Sequence, residues 1–291
     1  MEMFAGTGVA LVTPFDENLN IDERSLRRLV NYVIEGGVDF LVALGTTAET
    51  ATLTREERAE VVRIIVEENR GRLPLMAGVG GNNTAEVIHE LRTVSWLKDC
   101  QAILSITPFY NKPNQNGLYQ HFKAIAEVAT LPLCLYNVPG RTGVNMEATT
   151  MVRLAEEFPN IIAVKEAAGN FAQATSILKL KRPEFIALSG EDAIVLPLMA
   201  MGFSGVISVA ANICPEKYVR LVNSIKQGDL LTAQHIHLAM SELCQLLFEE
   251  GNPAGIKAAL HAAGIIAYNN LRLPLTPVSP ELYDKIKSVL S

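Results

Sequence analysis

Eight short apolar, β-branched runs recur along this chain at a near-regular interval, and each is followed by a stretch with helical periodicity. That alternation leaves few folds open. The runs are Gly8–Thr13, Phe40–Leu44, Leu75–Val79, Ala102–Ile106, Leu133–Asn137, Ile161–Lys165, Phe185–Ser189 and Val206–Val209. Continuous apolar runs of this length suit strands of a parallel sheet covered by helices. Helix start signals stand between them: Asp22-Glu23-Arg24-Ser25, Thr54-Arg55-Glu56-Glu57 with capping-box spacing, and Asn83-Thr84-Ala85-Glu86. Gly36-Gly37 and Gly71 stand where helices end. Eight such units of similar length predict an α/β fold, a closed (β/α)8 TIM barrel with a C-terminal helical extension. The rival is a doubly wound open sheet. Its dinucleotide fingerprint is missing, because Gly78-Val79-Gly80-Gly81-Asn82-Asn83 lacks the final glycine and reads as a strand-to-helix turn.

After Gly228 the strand signal stops, and Asp229–Glu249, Ala254–Ala263 and Pro280–Leu290 read as helices. Two regions are expected: a catalytic barrel over residues 1–228 and a helical region over 229–291 packed on it. Ala193–Pro215 carries no charge and has the length of a membrane span. Its Pro197, Gly202, Gly205 and Asn212 argue instead for a buried helix, started at Asp192 and stopped at Gly202, and then a strand. The hydrophobic share of 49% excludes a disordered chain, and a net charge of −6 with scattered basic residues argues against a nucleic-acid surface. Cys100, Cys134, Cys214 and Cys244 form no CxxC pair and sit in apolar settings, so they read as buried free thiols of a reducing compartment. His235 and His237 are two apart on a predicted helix and face different ways, so no metal site is expected. Met1–Gly6 lacks the pattern of a signal peptide, and a cytoplasmic protein is expected.

In a barrel of this kind, chemistry sits where strands end and the following loops begin. Lys165 holds that position on the sixth strand. Taking an ammonium out of water disfavours its charged form, and a neutral amine is a nucleophile toward carbonyl carbon. The plainer alternative is a lysine that snorkels from the strand end or pairs with a carboxylate. Its neighbours at the same rim favour chemistry. The second strand runs into Gly45-Thr46-Thr47-Ala48-Glu49 and the fourth into Thr107-Pro108-Phe109-Tyr110. The fifth ends in Tyr136-Asn137 before Val138-Pro139-Gly140-Arg141-Thr142-Gly143, and the seventh in Ser189-Gly190-Glu191-Asp192. Singly, the threonines read as turn hydroxyls, Tyr136 as core with a wet tip, and Arg141 as a solvated surface group. Together they fit imine formation with a small 2-oxo acid. Lys165 attacks the ketone, the protonated imine draws electrons, and a proton leaves the adjacent carbon to give an enamine that attacks an aldehyde. Tyr136 and Thr47 suit the proton transfers, and Arg141 offers a fork for a carboxylate.

Gly45-Thr46-Thr47-x-Glu49, Tyr136-Asn137-x-Pro139-Gly140-Arg141-Thr142-Gly143 and Lys165-Glu166-Ala167 resemble the motifs of the dihydrodipicolinate synthases (4-hydroxy-tetrahydrodipicolinate synthases), in the N-acetylneuraminate lyase and class I aldolase superfamily. The resemblance runs from Gly8 to the end of the chain. It implies a lyase that condenses pyruvate with L-aspartate 4-semialdehyde to 4-hydroxy-tetrahydrodipicolinate, the first committed step of diaminopimelate and lysine biosynthesis. It implies Lys165 as the Schiff-base lysine, with no cofactor beyond the covalent lysine–pyruvate imine. Tyr136 is implied as general acid–base, in a relay with Thr47 and with Tyr110 donated by a neighbouring subunit. Arg141 is implied to bind the semialdehyde carboxylate, and Thr46, Thr47, Gly190 and Ile207 to line the pyruvate pocket. The implied assembly is a homotetramer, a dimer of dimers, with neither nucleic acid nor membrane as a partner.

Two alternatives stay open. A sibling pyruvate-dependent aldolase or lyase would act on a sugar-derived 2-oxo acid, but N-acetylneuraminate lyase typically has serine in place of Thr46 and no arginine at position 141. A non-catalytic, ligand-sensing barrel could lose Lys165 or Tyr136 without penalty, and this chain has both. The resemblance also implies an end-product site in lysine-inhibited members. Ala51, Asn82 and Glu86 match it, while Arg55, Arg58 and Phe109 stand where two histidines and a tyrosine are common. Two cations beside a lysine ammonium, and a lost hydroxyl partner, predict weak or absent lysine feedback. Otherwise Arg55 and Arg58 read as helix-surface residues.

Overall fold

The computed structural model describes residues 2–290. Met1 and Ser291, the outer ends of the two expected regions, lie outside them. The strands are β1 (Gly6–Ala10), β2 (Phe40–Ala43), β3 (Leu75–Gly78), β4 (Ala102–Ile106), β5 (Leu133–Asn137), β6 (Ile161–Glu166), β7 (Ile186–Ser189) and β8 (Gly205–Ser208). The α-helices among the described residues begin with α1 (Glu23–Glu35), α2 (Arg55–Asn69), α3 (Thr84–Thr93), α4 (Gln115–Val128), the single turn α5 (Pro139–Thr142), α6 (Ala148–Glu157) and α7 (Phe171–Leu180). They continue with α8 (Val195–Met201), α9 (Pro215–Lys226), α10 (Leu230–Ala239), α11 (Ser241–Glu249), α12 (Ala254–Ala262) and α13 (Pro280–Leu290). The strands follow one another in hydrogen-bonded order from β1 to β8 and close into a parallel barrel, the fold the alternation predicts. β1, β2 and β5 to β8 are buried along their whole length, which is why they carry no polar alternation.

Local signals act as expected in several places. Thr54 and Glu57 form a reciprocal capping box at α2, Asp22 accepts from the Ser25 amide at α1, and Asn83 accepts from the Ala85 amide at α3. Elsewhere tertiary contacts move the boundaries. The first strand lies at Gly6–Ala10, not Gly8–Thr13. Thr7 N donates to the Asp39 carboxylate at 2.7 Å, while Val12 N leaves the ladder for Asn212 Oδ1. Asp192 does not start its helix: a 3₁₀ turn covers Asp192–Ile194, and α8 begins at Val195. The expected single helix over Asp229–Glu249 breaks at Met240, where Ser241 Oγ donates to Leu238 O at 2.8 Å and competes with the main-chain pattern. All four cysteines are free, but Cys214, next to Pro215 at the start of α9, is half-buried rather than buried. Among the described residues no helix is long and apolar enough to cross a membrane, and no group of three or more His, Cys, Asp or Glu is placed to hold a metal ion.

The chain divides into two compact units. The first, Pro74–Ile207 with the residues up to Ala5, contains β3 to β7 and most of β8. Its strand register sets one row of partners, Ile106–Tyr136–Lys165–Leu188, and beside it a second, Asn137–Glu166–Ser189. The register between β5 and β6 shifts once. Leu133 pairs with Ile161, but Cys134 pairs with Ala163, so Tyr136 comes opposite Lys165 and not Val164.

The second unit, Gly6–Leu73 with the chain from Ser208 onward, joins the C-terminal helices to the loop after β2 by a buried ion pair. Lys257 of α12 has no exposed side-chain surface. It donates to Glu49 and, at 2.9 Å, to the Asn270 carbonyl, and its Nζ lies 4.1 Å from the Phe15 ring centroid. Glu49 also accepts from Arg272 N, and the Arg272 guanidinium grips Glu57 with two bonds of 2.8 and 2.6 Å. Burial pulls the Lys257 ammonium down to about 8, against Glu49, which pulls it up. Losing one member strands the other charge in the interior. Lys257→Ala is therefore expected to cost about 3–5 kcal/mol of stability. The pair replacement Lys257→Met with Glu49→Leu is expected to recover most of that loss, as read by denaturant unfolding of the two variants.

Candidate active site

The row of partners in the first unit sets the geometry of the candidate site. In a parallel sheet, residues paired across strands project from the same face, and the next residue along each strand projects from the other. Tyr136 and Lys165 are such a pair. Both are nearly buried, at 6% and 5% exposure. Lys165 Nζ lies 4.4 Å from the centroid of the Tyr136 ring. The loop after β7 closes in from the other side. A methyl group on Gly190 would lie 2.6 Å from Ala167 Cβ and 3.0 Å from Lys165 Cε, so only glycine lets this backbone reach the lysine stem. Ile207 is buried in β8, whose Val206 pairs with Ser189.

The second row faces the opposite way, toward α7. Asn137 Nδ2 donates to both Glu166 oxygens at 3.1 Å, and Gln173 Nε2 of α7 donates to Glu166 Oε2 at 2.8 Å. Burial pushes the Glu166 carboxyl above the usual range, opposed by these donors and the Ala168 amide. Between Asn137 and α6 lies the segment that carries Arg141. Pro139–Thr142 forms a full helical turn, α5, with Pro139 in its first position and Gly143 ending it at φ 73°. Thr142 folds back under it, donating to the Val138 and Val144 carbonyls. Arg141 is solvent-exposed. Glu191, one residue beyond Gly190, is half-buried. Burial and the neighbouring Asp192 push its carboxyl up, while Lys165 and Arg141 oppose the shift. Tyr110 projects outward, 88% exposed, on a backbone at φ 72°.

In the second unit, Thr46 and Thr47 lie in a 3₁₀ turn over Thr46–Ala48, ended by Glu49 in the left-handed conformation. Thr47 is 3% exposed, and its Oγ1 accepts from Asn252 Nδ2 at 3.0 Å. Ala51 follows in the next turn, and Arg55 and Arg58 stand one turn apart at the start of α2, where Arg58 donates to Thr50 O. The other members of the expected end-product site belong to the first unit. There Asn82 Nδ2 donates to Phe109 O at 3.1 Å, and Glu86 is exposed in the first turn of α3.

Sequence reasoning did not single out Asn252, Lys257, Asn145 or Gln173. Lys257 carried a usable signal: a lysine inside Ala254-Gly255-Ile256-Lys257-Ala258-Ala259-Leu260 needs a buried partner. Asn252, Asn145 and Gln173 lie in segments with no chemical pattern, and the Asn252–Thr47 and Asn145–Gln173 bonds join residues remote in sequence.

The model of the dihydrodipicolinate synthetase family matches residues 3–291. A 4-hydroxy-tetrahydrodipicolinate synthase of Parabacteroides distasonis is 50% identical over 285 residues, covering 98% of this chain and 95% of the relative. The crystal structure of the dihydrodipicolinate synthase from Thermotoga maritima superposes with a TM-score of 0.96 at 39% identity, covering 99% of this chain and 98% of that one. The chloride-inhibited enzyme from Acinetobacter baumannii, complexed with pyruvate, has a TM-score of 0.93 at 40% identity, with 98% and 97% covered. A family match over nearly every residue, a half-identical relative matched over almost its whole length and superposable barrels agree, and this chain belongs to the dihydrodipicolinate synthetase family.

Proposed function

We propose that this chain is a 4-hydroxy-tetrahydrodipicolinate synthase, a lyase that condenses pyruvate with L-aspartate 4-semialdehyde in lysine and diaminopimelate biosynthesis. The reading is carried by Lys165, held almost out of solvent against the Tyr136 ring, with the Gly190 backbone packed close along its stem. The Lys165 amine adds to C2 of pyruvate, and loss of water leaves a C=N bond. A proton leaves C3 to give the enamine, which attacks the aldehyde carbon of the second substrate. That substrate's own amine then displaces Lys165 at C2 and closes the ring. The chain uses no cofactor in this scheme, because the imine itself is the electron sink.

Tyr136 acts as the general acid–base beside the imine. Thr46, Thr47, Gly190 and Ile207 are assigned to pyruvate binding, with Thr47 as the relay hydroxyl; for the threonines this rests on the Gly45-Thr46-Thr47-x-Glu49 motif. Arg141 supplies a planar fork for the semialdehyde carboxylate. Tyr110 is assigned to a neighbouring copy, in a homotetramer built as a dimer of dimers. A tyrosine at positive φ, with most of its surface exposed, suits a contact made outside its own chain. Four free thiols suit a reducing, cytoplasmic setting. Residues 1–228 are assigned to the catalytic barrel and 229–291 to the helical region.

Three outcomes test this reading. Incubation with pyruvate and borohydride is expected to place a reduced adduct on the Lys165 peptide in mass analysis, and an unmodified peptide would falsify the imine mechanism. Arg141→Ala removes a charge-assisted pair worth about 1.5–3 kcal/mol. It is therefore expected to raise KM for aspartate semialdehyde about ten- to hundredfold while the borohydride-trapped imine is unchanged. Arg55 and Arg58 put two cations, and Phe109 no hydroxyl, where the family's lysine site lies. Steady-state rates are accordingly expected to hold in added lysine, and inhibition at sub-millimolar lysine would contradict that assignment.

A further inference from the structure

The segment that carries Arg141 is tied at its entry to the strand that carries Lys165, and at its exit to that entry residue and to α7. Its entry is Asn137, the last residue of β5, and its exit is Asn145, just before α6. Asn137 Nδ2 donates to Asn145 Oδ1 at 2.8 Å as well as to both oxygens of Glu166, and Asn137 Oδ1 accepts from Met146 N at 2.9 Å. Gln173 completes the ring. Its Nε2 donates to Glu166 Oε2 at 2.8 Å and to Asn145 Oδ1 at 3.1 Å, and its Oε1 accepts from Asn145 Nδ2 at 2.7 Å. Beyond the ring, Gln115 Nε2 of α4 donates to the Asn145 carbonyl at 2.8 Å. Asn137 and Glu166 are buried, at 0% and 3% exposure. Four polar side chains from three elements and a loop therefore satisfy one another around a single buried carboxylate, an arrangement in which each member fixes the others.

We infer that Glu166, Asn137, Asn145 and Gln173 are positioning residues for the second substrate: they fix where the α5 turn sets the Arg141 guanidinium relative to Lys165. Lys165 and Glu166 are adjacent on one strand and face opposite ways, so the residue that anchors the loop is rigidly coupled to the residue that forms the imine. Pyruvate capture needs only the Lys165 row. Recognition of the semialdehyde carboxylate needs the loop in register with that row. Loosening the ring thus separates the two half-reactions. The inference rests on the assignment of Arg141 to the semialdehyde carboxylate.

A double-mutant cycle tests it. Asn145 and Gln173 are both half-buried, and Asn145→Ala and Gln173→Ala each open the ring without removing the buried carboxylate. Each is expected to raise KM for aspartate semialdehyde about tenfold, as a small misplacement of a binding group does. KM for pyruvate and the yield of borohydride-trapped imine on Lys165 are expected to stay unchanged. In the Arg141→Ala background the same substitutions are expected to add nothing. A purely structural role would instead move both substrates' KM, lower kcat, and act equally in both backgrounds, and that result would overturn the inference. If Arg141→Ala raises the semialdehyde KM while both ring variants leave it untouched, the positioning role fails and the Arg141 assignment stands. If Arg141→Ala itself has no effect, the assignment fails and the inference with it.

Discussion

Parallel pairing of β5, β6 and β7 is the constraint on which the rest of the site depends. It aligns Tyr136, Lys165 and Leu188 in one row and Asn137, Glu166 and Ser189 in the next. Because successive residues on a strand face opposite sides, the two rows divide the labour. One presents an amine and a phenol to each other, and the other builds the polar support behind them. A slip of one residue would exchange the two faces and put Glu166 where the amine now stands. The single irregularity between β5 and β6 sets this alignment. With unbroken register from Leu133–Ile161, Tyr136 would face Val164, and the aromatic ring would have no lysine beside it.

Two buried lysines in this chain show how context decides what an amine does. Lys257 is enclosed by Glu49, the Asn270 carbonyl and the Phe15 ring, with Arg272 and Glu57 extending the network. Its nitrogen is committed to those acceptors, and its work is structural. Lys165 lies against an aromatic face, with a glycine beside its stem in place of a side chain. Burial thus comes with a hydrogen-bonded carboxylate at Lys257 and with an aromatic neighbour at Lys165.

The polar ring around Glu166 extends that contrast. A buried carboxylate with several donors and no nearby cation in its hydrogen-bond set is costly unless its partners need it. Here its partners are Asn137 at the entry of the Arg141 segment, Gln173 in the first turn of α7 and the Ala168 amide, and Asn145 at the segment's exit joins through the first two. The loop between β5 and α6 and the strand β6 are therefore held by one network. In such a network, the position of the Arg141 turn is sensitive to residues that lie outside it.

Much of this was legible in the residues alone. The eight-fold alternation, the C-terminal helices and the motifs around Thr46, Tyr136, Arg141 and Lys165 are local patterns, and backbone periodicity and turn chemistry are local physics. β4 and β5 have the bounds their apolar runs predict, and α13 begins and ends where its pattern does. What the chain could not announce is whatever depends on partners far away in sequence. The first strand shifted because Asp39 and Asn212 compete for its amides. The register step that brings Tyr136 opposite Lys165, the ring linking Asn137 to Gln173, and the Lys257–Glu49 pair were likewise decided only on folding. Sequence periodicity records which face of an element is buried. Which atoms meet on that face is set by packing and register, and these exist only once the strands have closed on one another.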